Sequence, residues 1–254
     1  MYTFTSTVRY SETDETGSLS LTGLMNYLQD SSLFHSQALG VGPAYLARRH
    51  RAWLLSGWQI VIDRYPKMFE KITIGTSPYD FSNGLGCRNF VIMDEQGTYM
   101  VRANSVWLYL DTEAVRPVRP EESEVTVYGT EERIPMDYAP RRIRLPKDMQ
   151  SAEPVPVRRH HMDTNHHVNN AQYVEIAREL FDELPPVSQL RVEYKKQALL
   201  GDILYPKTGR QDDWYYAALE DASGHLYASV ALKCEEPVTQ AGDPHGSICT
   251  KTVI

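Results

Sequence analysis

The sequence has few cysteines and no long apolar run, and both absences limit what the protein can be. Its 254 residues include three cysteines, Cys87, Cys234 and Cys249, which are odd in number and far apart. This usage favours reduced thiols over a disulfide framework. No apolar run approaches the roughly 18 residues of a membrane-spanning helix, and the first residues lack the basic start and apolar core of a signal peptide. We therefore expect a cytoplasmic protein without a membrane span.

An excess of positive charge is also missing. The 26 Lys and Arg residues against 33 Asp and Glu residues give a formal net charge of −7, which argues against generic nucleic-acid binding. Basic residues nevertheless cluster in three short runs, at 48–51, 141–144 and 158–159. Such runs are most often solvated surface, and the alternative is a docking patch for an acidic partner.

Several common catalytic signatures are absent too. The sequence has no G-x-S-x-G motif, which positions the nucleophile of many serine hydrolases, and no P-loop or G-x-G-x-x-G motif, which bind nucleotide phosphates.

Apolar residues make up 42% of the chain, an ordinary globular value. This fraction excludes a mainly disordered chain, because enough apolar surface is available to offset chain entropy.

What the sequence does contain is one long helix followed by several strands, twice over. Apolar residues at helical spacing predict a helix over 21–39, and a second helix is predicted from Asn169 or Asn170, with an apolar stripe that includes Phe181, to Pro185-Pro186. The predicted strands lie near 53–63, 70–80, 86–93 and 98–110, and then near 189–198, 202–207, 213–220 and 225–234.

Two tight turns indicate that this pattern is a duplication. Asp94 with Gly97, and Asp221 with Gly224, each place Asp first and Gly where a turn needs positive φ, and the turns lie 127 residues apart. An internal duplication in an α+β protein is therefore predicted. The proline-rich segment 111–157 is expected to be a connector with one short strand over 124–128.

The densest polar cluster, residues 160–170, directly precedes the second predicted helix. If this segment is extended, Asp163, Asn165, His167 and Asn169 project to one side. The helix start offers free N–H groups and a positive dipole end that can stabilise an oxyanion, and an imidazole beside it can act as a general base on water. The combination suits hydrolysis of an activated acyl compound.

Three other interpretations of this cluster stay open. Asp and Asn before a helix often serve only as caps and turn formers. The histidines could bind a metal, although their spacing matches no zinc signature and we expect no metal. His160 and His161 could simply be exposed.

The stretch DTNHHVNNAQYVEIARE resembles the catalytic loop and helix start of the acyl–acyl carrier protein thioesterases of plants and bacteria. The blocks WLLSGWQIVIDRYPKMFEKITIGT, RANSVWLYLD and VEYKKQALLGDIL resemble strands of the same family. The resemblance implies a tandem hotdog fold, in which each long central helix is wrapped by a curved antiparallel sheet. The implied domains are residues 1–120 and 151–254, with a connector at 121–150.

The resemblance implies hydrolysis of the thioester that links a fatty acyl chain to acyl carrier protein, with no metal or organic cofactor. Asn165 and His167 would position and activate water or polarise the thioester, and Asp163 would orient them. The acyl carrier protein is strongly acidic as a family, so the three basic runs are candidate docking charges. The implied protein is a monomer, as a pseudo-dimer of hotdogs, or a homodimer.

The fourth catalytic position departs from the family. Plant members have Glu followed by Cys where this chain has Gln197 and Ala198. An amide can orient water but cannot accept a proton as a carboxylate does. His167 would then act as the general base. Glu193 is a weaker substitute that we expect to pair with Lys195 or Arg191.

The first half departs further. Asp14 stands where the second half has its catalytic Asp, but Thr16 and Ser18 replace Asn and His. This half is therefore expected to shape the acyl tunnel while the second half carries the chemistry. The candidate lining residues, which are equally good core residues, are Leu24, Met25, Leu28, Trp53 and Trp58.

Four functions remain in competition at this point. The leading hypothesis is an acyl-carrier-protein thioesterase. The substitution at Gln197 motivates an alternative, a hotdog protein that binds acyl thioesters with little turnover. An acyl-CoA thioesterase and a dehydratase acting on β-hydroxyacyl thioesters are the other two.

Overall fold

The computed structural model describes residues 1–82 and 84–235, so Cys249 lies outside the described residues. The helices are α1 (Leu21–Ala38), α2 (Pro43–Arg48), α3 (Glu122–Thr126) and α4 (Asn170–Arg178). The strands of the first half are β1 (Tyr2–Thr7), β2 (Arg51–Ile62), β3 (Lys71–Ser82), β4 (Leu85–Met93), β5 (Tyr99–Asp111) and β6 (Arg116–Pro117). Those of the second half are β7 (Gln150–Ser151), β8 (Val155–Pro156), β9 (Val187–Tyr194), β10 (Ile203–Gln211), β11 (Trp214–Glu220) and β12 (Leu226–Cys234). Within the described ranges, no helix is both long and apolar enough to cross a membrane.

These strands form one twelve-stranded antiparallel sheet. The order is β1-β3-β4-β5-β2-β9-β12-β11-β10-β7, with β6 beside β5 and β8 beside β10. The two halves meet where residues 57–61 of β2 pair with 189–193 of β9. In each half the main strands follow the same spatial order: first, third, fourth, fifth, second. A repeated strand order is what an internal duplication predicts.

The two long helices pack against this sheet and against each other. The buried face of α1 carries Leu21, Leu24 and Leu28 at helical spacing, and this face joins a core cluster that extends into the second half. Burying each such side chain stabilises the fold by about 1.5–3 kcal/mol. Helix α4 runs antiparallel to α1, because the start of α1 bonds to the later part of α4 and the middle of α1 bonds to the start of α4.

The eight strands predicted after the two helices and both turns are confirmed, with ends that differ by a few residues. Gly97 and Gly224 have φ of +80° and +81°, and each donates its N–H to the carbonyl of the turn's first residue. The side chain of that residue completes the turn: Asp94 Oδ1 accepts from the backbone N–H of Gln96 at 3.0 Å. The turn chemistry is local, which explains why the sequence predicts it.

The predicted end of the second helix is wrong. Helix α4 stops at Arg178, seven residues before the prolines, so Phe181 lies beyond the helix instead of on its apolar stripe. Phe181 still packs on the core, edge-on to Tyr215 at a ring-centroid distance of 5.3 Å. Leaving the helical path places this side chain against the core cluster.

The strand predicted at 124–128 is also wrong, because residues 124–126 belong to helix α3. Glu121 and Glu124 form a capping box at its start. The Glu124 carboxylate is buried and accepts hydrogen bonds from the Tyr109 hydroxyl at 2.7 Å and from Arg49 Nε at 3.1 Å. A long-range buried pairing thus fixes this turn of helix, and the local pattern does not reveal it.

Candidate active site

The loop 163–167 is a tight turn, so the condition of an extended segment, under which four polar side chains would project to one side, is not met. Met162 and Val168 pair across its base. The Asp163 N–H donates to the His167 carbonyl at 2.8 Å, and Asp163 Oδ1 accepts from the N–H groups of Asn165 at 2.8 Å and His167 at 3.3 Å. Asp163 therefore closes the loop, as a turn-forming aspartate does.

The side chains of Asn165 and His167 do not take part in the hydrogen bonds that close this loop. Asn165 is exposed, and its amide makes one long contact to Asp163 Oδ2 at 3.4 Å. His167 is half-buried, and among the described residues its buried Nδ1 has no hydrogen-bond partner. Buried polar atoms are nearly always satisfied, so this imidazole is available for a water or a substrate.

The loop leads directly into helix α4. Asn169 caps the helix through its side chain, which accepts from the Ala171 N–H at 2.9 Å, as predicted. Asn170 begins the helix, and its carbonyl accepts from the Tyr194 hydroxyl at 2.9 Å. The helix start with its positive dipole end therefore lies next to the loop.

Histidines 160 and 161 lie in the short 3₁₀ turn before the loop and differ from each other. His160 is exposed, in line with one of the open interpretations. His161 is buried, and its Nδ1 accepts from the Arg158 N–H at 3.0 Å. His161 therefore has a structural role in positioning the segment that enters the loop.

Gln197 lies in the segment after β9, which runs alongside the loop. The neighbouring Ala198 carbonyl accepts from the Val168 N–H at 3.0 Å, and the Ala198 N–H donates to the buried Tyr173 hydroxyl at 2.8 Å. Burial raises the pKa of Tyr173 to about 12. The Gln197 side chain is exposed and forms no hydrogen bond within the described residues to the three catalytic candidates of the loop.

Glu193 pairs with Lys195, as expected. Its carboxylate is buried, contacts Lys195 Nζ and accepts from the Ile143 N–H at 3.1 Å. Arg191 instead donates to the carbonyls of Pro140 and Arg142. These contacts tie the sheet to the connector and leave Glu193 no part in the loop.

The first half contains a second loop with the same backbone bonding. Asp14 donates its N–H to the Ser18 carbonyl at 2.9 Å, and its Oδ1 accepts from the N–H groups of Thr16 at 2.9 Å and Ser18 at 3.2 Å. Gly17 has a φ of +71° where His166 has +62°. The predicted correspondence of the two loops therefore extends to their hydrogen bonds.

The side chains of the two loops differ. The Ser18 hydroxyl accepts from Lys67 Nζ at 2.7 Å and from Thr16 Oγ1 at 2.8 Å. The matching imidazole, His167, keeps a buried nitrogen without a partner among the described residues. The serine hydroxyl of the first loop therefore has its hydrogen-bond partners within the first half. The histidine of the second loop is available to a water or a substrate.

Most candidate tunnel residues lie in the core. Leu24, Met25, Leu28 and Trp58 are buried in the main cluster. Trp53 lies apart, half-buried against Tyr109 at a ring-centroid distance of 4.7 Å. Their contact with an acyl chain stays a prediction.

Two contacts near the start of α4 have no signal in the sequence. Gln29 of α1 accepts from the Asn170 side-chain amide at 3.3 Å, and Thr22 donates to Glu175 at 2.6 Å. Both join the halves across about 150 residues of chain, and neither lies in a motif. They place the first-half helix beside the start of α4.

Two family models match the chain. The acyl-ACP thioesterase N-terminal domain matches residues 1–128, and the acyl-ACP thioesterase C-terminal domain matches residues 145–220. The chain belongs to the acyl-ACP thioesterase family. In this thioesterase family member the C-terminal match contains the loop 163–167 and Gln197, and the N-terminal match contains the loop 14–18.

Similar proteins carry names of the same family. The acyl-[acyl-carrier-protein] hydrolase FATB3 of Cuphea viscosissima is 25% identical over 204 residues, which cover 73% of this chain and 49% of that protein. The palmitoyl-acyl carrier protein thioesterase of Gossypium hirsutum is 25% identical over 218 residues, which cover 78% of this chain and 52% of that protein. The chain thus spans about half the length of the curated relatives it matches.

Solved structures share the fold. An acyl-ACP thioesterase from Bacteroides thetaiotaomicron has a TM-score of 0.83 at 23% identity, covering 92% of this chain and 97% of that chain. The 12:0-ACP thioesterase from Umbellularia californica has a TM-score of 0.79 at 19% identity, covering 91% and 96%. This likeness confirms the predicted tandem hotdog fold.

Proposed function

We propose that this protein hydrolyses the thioester of fatty acyl–acyl carrier protein and releases a free fatty acid and the carrier thiol. The observation that carries the proposal is the buried Nδ1 of His167, which has no hydrogen-bond partner in the part of the chain that the structure describes. This imidazole lies in a loop closed by Asp163, directly before a helix start, in a chain of the thioesterase family. No metal or organic cofactor takes part in the proposed reaction.

In the proposed reaction, His167 accepts a proton from water as the water oxygen bonds to the thioester carbonyl carbon. The start of α4 stabilises the negative charge that develops on the carbonyl oxygen. The carbon–sulfur bond then breaks, and the proton held by His167 passes to the leaving thiolate. Asn165 positions the thioester or the water, and Gln197 orients the water through its amide.

The test compares two matched variants, His167→Ala and Ser18→Ala, on acyl carrier protein loaded with a fatty acid. Free thiol and free fatty acid are both measured. We expect His167→Ala to lower kcat by about 10²–10⁴, the usual contribution of a general base, and Ser18→Ala to stay close to the parent. Unchanged turnover in His167→Ala would remove this histidine from the mechanism.

A second candidate function is acyl-thioester binding with little turnover. The exposed amide of Gln197, where plant members have a carboxylate, favours it. Under this hypothesis the parent protein binds acyl carrier protein without hydrolysis and Gln197→Glu gains turnover. Rapid hydrolysis by the parent would exclude it, and a panel of carrier-bound and coenzyme A substrates would separate the carrier thioesterase from an acyl-CoA thioesterase.

We further propose a division of labour and a location. Residues 1–120 would shape the acyl tunnel and 151–254 would carry the chemistry, because the serine hydroxyl of the first loop already has its hydrogen-bond partners.

A cytoplasmic location is supported by the thiols of Cys87 and Cys234, which form no disulfide among the described residues. Burial raises the pKa of Cys234 to about 11, which makes this thiol unreactive.

A further inference from the structure

Three large aliphatic side chains are exposed within five residues, two of them on the turn after β9 and the third at the first residue of β10. Leu199, Leu200 and Ile203 are 51%, 53% and 45% exposed. Their backbone is well held, because the Leu199 N–H donates to Asp202 Oδ2 at 2.9 Å and the Asp202 N–H returns to the Leu199 carbonyl at 3.0 Å. A fixed, exposed apolar cluster is typical of a binding surface. We call these residues the apolar turn.

The apolar turn adjoins the catalytic loop on one side. Ala198, the residue directly before it, accepts from Val168 at the base of the loop 163–167. On its other side, the Val157 N–H donates to the Asp202 carbonyl at 2.8 Å, and the Gly201 N–H donates to the Val157 carbonyl at 3.2 Å. The turn is therefore fixed between the catalytic loop and the segment that begins the basic run 158–159.

The basic run beside the apolar turn carries charge that is not taken up by ion pairs within the described residues. Arg158 and Arg159 are exposed and form no ion pair within the described residues. The run 48–51 differs, because Arg49 pairs with Glu121 at 2.9 Å and Arg51 pairs with Asp111 at 2.9 Å. The run 158–159 thus combines charge that has no ion-pair partner among the described residues with closeness to the loop 163–167.

We propose that the apolar turn, with Arg158 and Arg159 at its rim, is the docking surface for the acyl carrier protein. This inference rests on the proposed function. An apolar centre with a charged rim is the usual anatomy of a protein interface, and the cationic rim complements a strongly acidic carrier. A carrier seated here would deliver its thioester next to His167.

The first experiment compares a carrier-bound acyl thioester with a small carrier-free one, acyl-N-acetylcysteamine. We expect Leu199→Ser/Leu200→Ser to raise KM for the carrier-bound substrate about tenfold with little change in kcat. Hydrolysis of the carrier-free substrate stays unchanged, because the turn does not touch the reacting atoms. Leu33→Ser, which alters an exposed leucine of α1, serves as the matched control. An unchanged carrier KM, or equal losses on both substrates, would overturn the proposal.

The charged rim is tested by salt. Raising ionic strength weakens pairing between exposed charges, so the carrier KM of the parent should rise with salt. Arg158→Glu/Arg159→Glu should raise that KM at low salt and flatten its salt dependence, whereas Arg119→Glu, another exposed arginine, should not. A salt dependence that persists in the double variant would count against this rim.

Binding without turnover separates this inference from the proposed function. The affinity of the parent and of Leu199→Ser/Leu200→Ser for acyl carrier protein is measured by calorimetry. Weakened binding in the variant supports docking even if neither protein hydrolyses the thioester. Absence of hydrolysis in the parent would contradict the proposed function but not the docking surface. If sedimentation instead shows that the variant separates a dimer into monomers while carrier affinity is kept, the turn binds a second copy and the proposal is wrong.

Discussion

Ser18 and His167 lie at matching positions of two loops with the same backbone hydrogen bonds, but the hydrogen bonding of their side chains differs. Lys67 and Thr16 satisfy the Ser18 hydroxyl. Within residues 1–82 and 84–235, the buried Nδ1 of His167 has no partner. The same backbone frame thus carries a closed polar cluster in one half and an available imidazole in the other.

The two aspartates that close these loops give a matched pair of variants. Asp14→Asn and Asp163→Asn each weaken charge-assisted bonds to two backbone N–H groups. Bonds to a charged group contribute about 1.5–3 kcal/mol each, and an amide retains part of this. We expect a similar loss of about 1 kcal/mol of unfolding free energy in both, measured in urea. Thioester hydrolysis should fall at least tenfold in Asp163→Asn alone, and equal activity losses would contradict the division between the halves.

The buried Tyr173 hydroxyl holds the segment that carries Gln197. In Tyr173→Phe the Ala198 N–H loses its acceptor, and an unsatisfied buried donor costs about 1–3 kcal/mol. We expect that destabilisation together with a lower kcat, because the segment is no longer fixed against the loop. Tyr99→Phe, at a tyrosine that is 38% exposed, is the control and should change neither quantity. A kcat equal to that of the parent would show that Gln197 needs no fixed position.

Glu124 joins α3 to the first half of the sheet. Its buried carboxylate accepts from the Tyr109 hydroxyl and from Arg49. Glu124→Ala leaves both donors without this partner, and we expect a loss of about 2–3 kcal/mol in unfolding free energy. Glu122→Ala, at an exposed position of the same helix, should stay within about 0.5 kcal/mol. Chemical denaturation of both variants checks this, and equal stabilities would mean that α3 is held by other contacts.

His35 makes the stability of the first half sensitive to acid. Burial, and then the positive charges of Arg88 and the N-terminus, lower its pKa to about 4, while Glu131 acts in the opposite direction. The unfolded chain, with a histidine pKa near 6.5, therefore binds the proton first. The stabilising contribution is full above about pH 6.5 and is lost as the pH falls towards 4.

The corresponding measurement is the urea midpoint of His35→Gln at pH 7.5 and pH 5. We expect a smaller acid-induced drop than in the parent, because the variant has no ring to protonate. His50→Gln, at an exposed histidine, should keep the drop of the parent. Identical drops in all three proteins would place the acid sensitivity elsewhere.

The sequence by itself determined the features that depend on neighbouring residues. The strands follow from alternating and β-branched residues, and the turns at Asp94 and Asp221 from Asp and Gly at fixed spacing. The start of α4 follows from its Asn169 cap, and the position of the loop 163–167 before that helix follows from a motif of adjacent residues. Each of these is a local hydrogen-bonding or periodicity rule that acts within a few residues of chain.

Only the tertiary structure decided features that depend on distant residues. It joined the halves through β2 and β9, engaged Arg49 with Glu124, and left the leucines of the turn 199–203 exposed beside the loop. It also ended α4 early, at Arg178. Burial and ion pairing are set by which surfaces meet in three dimensions. Arginines alike in sequence therefore differ: Arg49 forms two ion pairs and Arg158 forms none within the described residues.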